Sequence, residues 1–164
     1  MVKNNRNNLI MNNPMRNLLN KKSCMFGKIP IDKLSSMIFS EISKLTYHYE
    51  NDMYWIVGDK HNLSITDIKR DFGDLTGYEW YCCEIYFDKS LIKHNFCKAI
   101  PFILDCLKIN LSKQFPNESF CIVVSAQTGH YEHINVHFHL YRKDEFYIDP
   151  NIDNYTTPTL LEFM

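Results

Sequence analysis

The chain contains 164 residues, of which 45% are hydrophobic and 14% aromatic, and its formal net charge is −1. This length suits one domain with its own hydrophobic core, and the lack of a long apolar run or a secretory pattern argues against a membrane protein and predicts a cytoplasmic location. Residues 1–50 carry a net charge of +5 and residues 51–164 a net charge of −6. Because an acidic body repels phosphates, we expect no direct binding of nucleic acid.

Asparagine dominates the start of the chain and supplies eight of the first 22 residues. Few of these residues are suited to a core, and a polar, biased composition is typical of disordered segments. The sequence therefore predicts a flexible leader over residues 1–26, followed by a single domain over residues 27–164.

Behind Pro30, apolar residues recur every three or four positions, which indicates an amphipathic helix with proline in its first turn. These positions are Ile31, Leu34, Ile38, Ile42, Leu45 and Tyr49. Residues 53–57 then predict a short strand. Residues 59–77 predict a short helix between loops, with Ser64 or Thr66 as its cap.

The middle of the chain is rich in apolar residues. Residues 78–87 are apolar on both alternating faces, which favours a central strand. A long helix is expected over residues 91–115, with Ser90 as its N-cap. Pro101 lacks an amide hydrogen and should kink this helix or mark its true start.

Residues 119–149 predict an antiparallel meander of three strands, because a β-branched run and an alternating run are separated by turns. The second turn is expected at Lys143 and Asp144. Residues 159–163 predict a closing edge strand. Strands grouped beside separate helices indicate an α+β fold, with a mostly antiparallel sheet of five or six strands and two main helices packed on one face.

The six cysteines follow no CxxC or framework spacing. In a chain expected to be cytoplasmic, such cysteines are predicted to be reduced thiols that act as small buried hydrophobes. No nucleophile elbow and no glycine-rich phosphate loop is present, so the sequence predicts neither catalytic residues nor a bound cofactor.

Four histidines are concentrated in the predicted meander: His130, His133, His137 and His139. On a strand, the last three project from one face, where imidazoles two residues apart are able to share a zinc or iron ion. The same alternation also fits an antiparallel strand with one solvent-facing side. A third interpretation makes His137 and His139 an acid–base pair with Arg142 as the nearby cation.

Acidic and aromatic residues form two groups along the chain, in residues 59–80 and 144–155. Aromatic side chains among carboxylates are typical of a surface that binds a basic protein. The predicted partner-binding residues are Asp59, Asp67, Asp71, Asp74, Glu79, Trp80, Asp144, Glu145, Tyr147, Asp149, Asp153 and Tyr155.

The last third of the chain resembles the small immunity proteins of contact-dependent growth-inhibition and other polymorphic toxin systems. The resemblance lies in the strand of residues 133–141, the following Arg142 and acidic turn, and the ending in which Tyr155 and Pro158 precede the apolar run Thr-Leu-Leu-Glu-Phe. It implies a non-enzymatic inhibitor whose partner is the C-terminal domain of a cognate toxin.

Such toxins are commonly nucleases with basic clefts, which an acidic surface is suited to cover. The expected function is therefore an immunity protein that neutralises a toxin domain. The alternative is a metal-dependent enzyme built on the histidine strand, and a purely structural subunit stays open at this point.

Overall fold

The structure, a computed structural model, describes residues 9–21, 28–58, 63–143, 145, 147–149 and 151–164. Its elements in chain order are β1 (Leu9–Met11), α1 (Asn13–Leu19), α2 (Ile31–Ser43), β2 (Leu45–Glu50), β3 (Met53–Gly58), α3 (Ile65–Phe72), α4 (Leu75–Cys82), β4 (Glu84–Asp88), α5 (Lys89–Ile92), α6 (Phe96–Gln114), β5 (Phe120–Gln127), β6 (His133–Leu140), a 3-10 turn (Ile152–Asn154) and β7 (Thr159–Phe163).

The main sheet has five antiparallel strands in the order β1-β7-β5-β6-β4, and β2 and β3 form a separate hairpin. The α+β class and the mostly antiparallel sheet are confirmed. The described part of the chain has six α-helices rather than two main ones. The predicted edge position of β7 is wrong, since β7 pairs with β1 on one side and β5 on the other.

The principal core lies between one face of the sheet and helices α2 and α6. Strand β5 contributes Ile122, Val124 and Ala126 to this core, and all three are fully buried. Because side chains alternate along a strand, Cys121 and Val123 project to the opposite face. They belong to a second, smaller apolar cluster there.

The start of the described chain is part of the fold. Strand β1 pairs with β7, and Met15 of α1 is fully buried in the principal core. Asn12 caps α1 by accepting a hydrogen bond from the Met15 amide at 3.0 Å. The predicted flexible leader is therefore wrong for residues 9–21, and its remaining positions lie outside the described residues.

Two predicted elements adopt a different structure. The helix behind Pro30 ends at Ser43, and residues 45–50 form β2 instead of a last helical turn. Residues 75–82 form α4, so the strand expected over residues 78–87 begins only at Glu84. A short apolar run in a sequence is compatible with either a buried helix or a strand. Here the N-cap at Asp74 favours the helix α4.

Several other expectations are confirmed or corrected in detail. Strand β3 and the Ser64 cap of α3 are confirmed. The long helix is divided into α5 and α6, and Asp88 rather than Ser90 caps α5. The third meander strand is not seen in the described part of this segment, where residues 145 and 147–149 lie outside any strand.

Within the described residues, no helix is both long and apolar enough to cross a membrane.

Cys82, Cys83, Cys106 and Cys121 are free thiols, as expected. Cys97 is disulfide-bonded, so the expectation of reduced thiols is wrong for this residue.

Candidate functional site

The face of the sheet opposite the principal core is covered by α4 and by the segment that follows β6. Cys121, Val123 and Leu161 of the sheet form a buried cluster with Ile152 of the 3-10 turn. The partly buried side chains that pack against this cluster are Trp80, Ile148, Tyr155 and Phe163. The predicted site residues thus lie on two segments that share one apolar base.

A buried ion pair anchors these segments. Glu79 has 0% exposure, and its Oε2 and Oε1 accept hydrogen bonds from the two terminal nitrogens of Arg142, each at 2.9 Å. The backbone amides of Ile56 and Leu140 donate to the same carboxylate at 2.9 Å and 2.8 Å. The predicted role of Glu79 in partner binding is wrong, because a fully buried carboxylate offers no surface to a partner.

The hydrogen bonds of the pair favour the ionised form of both Glu79 and Arg142. Burial raises the pKa of Glu79, and the hydrogen bonds from Arg142 and two backbone amides oppose that shift. Burial also disfavours the charged guanidinium, but the hydrogen bonds and charge of Glu79 outweigh this and raise the pKa of Arg142. A carboxylate that receives four donors, two of them from a bidentate arginine, is well satisfied as an anion. We interpret the pair as a structural clasp.

Glu145 joins the segment after β6 to the start of α4. Its Oε2 accepts hydrogen bonds from the Thr76 amide at 3.1 Å and the Thr76 hydroxyl at 2.6 Å. Beside it, Asp74 caps α4 by accepting from the Gly77 amide at 2.7 Å. A Cβ at Gly77 would lie 2.5 Å from the Phe72 carbonyl oxygen and 3.4 Å from the Tyr147 ring, so glycine permits this close approach. The two predicted acidic groups, distant in sequence, are therefore neighbours.

Three aromatic rings are layered at the same place. The Trp80 and His137 rings stack with centroids 4.1 Å apart and planes 6° apart, and the Tyr147 ring lies 4.8 Å from Trp80. Trp80 is half-buried, whereas Tyr147 is 53% exposed. Tyr147 is thus the outermost and most exposed ring of the stack. We call the surface formed by Asp74, Trp80, Glu145 and Tyr147 the α4-loop surface.

The imidazole of His137 is fully engaged by this arrangement. Its Nδ1 lies 3.0 Å from the Trp80 carbonyl oxygen and so carries the proton that is donated there. Its Nε2 then accepts from the Asn135 amide at 3.2 Å, and Asn135 also donates to Glu84 at 2.6 Å. Both ring nitrogens of His137 therefore have a hydrogen-bond partner, and Nε2 also lies 3.7 Å from a carboxylate oxygen of Glu84.

The histidines do not converge on a common point. His133 contacts the Tyr131 carbonyl oxygen through Nδ1 at 3.0 Å, and His139 contacts the Leu140 carbonyl oxygen at 2.9 Å. His130 is exposed on the turn beside Tyr131. Across the described residues, no group of three or more His, Cys, Asp or Glu side chains is placed to hold a metal ion.

The other predicted carboxylates within the described residues are exposed or half-buried and have local partners. Arg70 binds Asp67 at 2.9 Å and Asp71 at 2.7 Å, so these charges are partly compensated. Asp149 accepts from the Asn151 amide at 2.8 Å, and its own amide donates to the Tyr155 hydroxyl at 2.8 Å.

Asp153 accepts from the Asn13 amide at 3.3 Å and so contacts the start of α1. Asp59 and Asp144, which were also predicted to bind a partner, lie outside the described residues.

Sequence reasoning missed the buried clasp. A signal for it was present, since Glu79 is a carboxylate between Tyr78 and Trp80 in an apolar run, and such a residue is rarely buried without a cation. Sequence reasoning also missed a tyrosine cluster on the β2–β3 hairpin. There the hydroxyls of Tyr47 and Tyr54 donate to Glu118 at 3.0 Å and 3.2 Å.

Residues 10–163 match the model of the family described as the Uncharacterized protein PM0498 family. No curated protein and no solved structure matches the chain.

Proposed function

This chain belongs to the Uncharacterized protein PM0498 family, and we propose that it is an immunity-type inhibitor. It binds the C-terminal domain of a cognate toxin through the α4-loop surface and covers the toxin's active site.

The observation that carries the proposal is the meeting of two acidic segments. Glu145 binds Thr76 through two hydrogen bonds, and this places Asp74 and Tyr147 on the same surface. Residues 51–164 carry a net charge of −6. A local concentration of carboxylates around an exposed aromatic ring is suited to a basic, phosphate-binding cleft, since complementary charge both speeds encounter and fixes orientation.

Tyr147 has the features of an interface anchor. Its ring is 53% exposed and rests on Trp80, which in turn stacks on His137. Binding hot spots are enriched in tyrosine and tryptophan because they bury a large area and lose little conformational freedom. A ring that is already held by a stacked neighbour loses even less conformational freedom when a partner covers it.

The chemistry of the same region favours binding over catalysis. The Cys121 thiol is buried, which raises its pKa to about 12 and keeps it protonated. His137 has hydrogen bonds at both ring nitrogens, and Glu79 and Arg142 satisfy each other. Groups held in this way support the surface rather than react.

The test begins with affinity capture of the tagged full chain from its own host's lysate, followed by mass spectrometry after a high-salt wash. A stoichiometric partner that matches the C-terminal piece of a large exported protein is expected. The isolated partner domain should then inhibit growth when it is expressed alone, and co-expression of this chain should restore growth.

A matched pair of charge variants locates the interface. Asp71→Lys, next to the α4-loop surface, should weaken binding and reduce its salt dependence. Asp105→Lys, on the exposed side of α6 in the other layer of the fold, should leave both unchanged. Asp74 is unsuitable because it caps α4. A partner domain without toxicity, or one that is toxic in the presence of this chain, would refute the proposal.

A further inference from the structure

A pocket of about 180 Å³ lies between the sheet and the segment after β6, and it adjoins the α4-loop surface, whose Glu145 and Tyr147 also line the pocket. Its walls are mostly apolar and include Ile10, Ile148, Leu161 and Phe163, while His139 and Glu145 add polar groups. A cavity of about 150 Å³ with apolar walls stays dry and binds benzene. The volume therefore suits one aromatic ring with a small substituent, or an indole.

His139 gives this pocket a specific polar group. The residue is 4% exposed, and its Nδ1 lies 2.9 Å from the Leu140 carbonyl oxygen, so Nδ1 carries the proton. Nε2, at the far end of the ring, is then a lone-pair acceptor, and within the described residues it has no hydrogen-bond partner. Because His139 lines the pocket, this acceptor is left to a donor from outside the chain or to water.

The protonation state agrees with this role. Burial lowers the pKa of His139, with a smaller contribution from Arg142, and the hydrogen bond to the Leu140 carbonyl oxygen and the charges of Glu145 and Asp74 oppose the shift. The ring is therefore neutral at pH 7 and accepts a hydrogen bond. The neighbouring Cys121 thiol is also neutral, since burial raises its pKa to about 12.

We propose that this pocket binds a neutral aromatic ring that bears one hydroxyl or N–H donor, of the phenol or indole type. The ring fills the apolar volume and its donor binds Nε2 of His139. Anionic ligands are disfavoured because Glu145 lies at the pocket. The proposal goes beyond the toxin-binding function, and although the pocket shares Glu145 and Tyr147 with the α4-loop surface, its test uses this chain alone.

The test is a titration of the full chain with phenol, indole and toluene, followed by two-dimensional amide NMR. Phenol and indole should shift the amide signals of His139, Ile148 and Leu161. Toluene has the same ring without a donor, and its binding should be about tenfold weaker, because it leaves Nε2 unpaired. Equal binding of phenol and toluene, or no shift with any ligand, would overturn the proposal.

Two variants separate the pocket from non-specific binding. Ile148→Trp should fill the pocket and abolish the shifts, whereas Ile109→Trp, at an exposed position of α6, should bind phenol normally. His139→Phe keeps the ring and removes the acceptor, so phenol should lose its advantage over toluene. If that variant does not fold, the comparison of phenol with toluene on the native chain still tests whether a donor binds Nε2 of His139.

A fourth titrant identifies the source of the ring. N-acetyltyrosinamide carries the phenol on a peptide backbone. If it binds with phenol, the pocket accepts a tyrosine side chain of another protein. If phenol binds and the amide does not, the pocket serves a free small molecule.

Discussion

Arg142 binds both carboxylate oxygens of Glu79 through its two terminal nitrogens, each at 2.9 Å, and Glu79 has no solvent exposure. The arginine follows β6 and the glutamate lies in α4, so this pair fixes the helix to the sheet. The position of the α4-loop surface depends on it.

Removal of one partner of the clasp should lower the free energy of unfolding strongly. Arg142→Met leaves the Glu79 charge buried without compensation, and loss of one partner of a buried pair typically costs about 3–5 kcal/mol. Chemical denaturation monitored by circular dichroism should show this loss in the free energy of unfolding. The double variant Glu79→Gln/Arg142→Met should recover part of it, because the uncompensated charge is gone.

The control for this prediction is Arg70→Met. Arg70 also contacts two carboxylates, but on the exposed surface of α3, where solvent screens the interaction. Its removal should leave stability nearly unchanged. If Arg142→Met were as mild as Arg70→Met, the clasp would not hold α4 in place.

The stability of the fold should also depend on pH through His139. Its folded pKa lies below the ordinary value of 6.5, chiefly because of burial. The unfolded chain therefore binds a proton more readily than the folded chain, and the stability from the neutral ring is complete above pH 6.5 and is lost as the pH falls. Between the folded and unfolded pKa values, the free energy of unfolding changes with pH by at most about 1.4 kcal/mol per pH unit, the value for one proton.

Denaturant titrations of the native chain and of His139→Gln between pH 7.5 and pH 5.5 measure this contribution. The difference in stability between the two should shrink as the pH falls, since the variant has no ring to protonate. His130→Gln, at an exposed position of the β5–β6 turn, is the matched control and should keep the native slope. If the free energy of unfolding of His139→Gln depended on pH as strongly as that of the native chain, groups other than His139 would cause the dependence.

The parts of the fold that the sequence predicted correctly are those with one unambiguous pattern. Strand β6 alternates between polar and apolar residues, and α3 has a capping serine at Ser64. Such local signals depend only on the periodicity of one element and its first turn. They therefore identify elements but not their neighbours.

The errors arose where tertiary contacts decide the structure. Residues 45–50 continue the helical spacing of α2, yet their pairing with β3 makes them a strand. Residues 75–82 have no distinct apolar face, and α4 is set by the Asp74 cap and the Glu79 clasp. The candidate surface was predicted residue by residue, but the contact between Thr76 and Glu145 that unites it spans 69 positions.

The role of the early residues in the fold leads to a prediction at Asn12. Its side chain donates to the carbonyls of Tyr155 and Thr157 at 3.0 Å and 2.7 Å, and it accepts from the amides of Met15 and Thr159 at 3.0 Å and 2.9 Å. Asn12→Ala removes the cap of α1 and leaves buried polar groups unpaired, so it should cost about 2 kcal/mol or more.

Thermal and chemical denaturation measure this effect, and the adjacent Asn13→Ala provides the control. Asn13 is exposed, so its truncation should be close to neutral. Equal, small effects of the two variants would mean that residues 9–21 do not stabilise the domain. That result would restore the expectation of a leader without a structural role.

The last prediction concerns the outermost ring of the α4-loop surface. Tyr147→Ala should weaken binding to the toxin domain by about 2 kcal/mol or more, as expected for an aromatic anchor at the centre of an interface. Tyr131→Ala removes an exposed tyrosine from the β5–β6 turn, where the ring is 77% exposed, and should not change the affinity. Calorimetric titration with the captured partner domain measures both.

The stack beneath Tyr147 makes this prediction more specific. Because the ring rests on Trp80 at 4.8 Å, Tyr147→Phe keeps the stacked anchor and loses only the hydroxyl. It should therefore retain most of the affinity that Tyr147→Ala loses. If both substitutions were equally harmful, the hydroxyl would be the contact and the stacked ring would not. If neither changed the affinity, the toxin would bind elsewhere, and the tyrosine cluster of the β2–β3 hairpin would be the next surface to test.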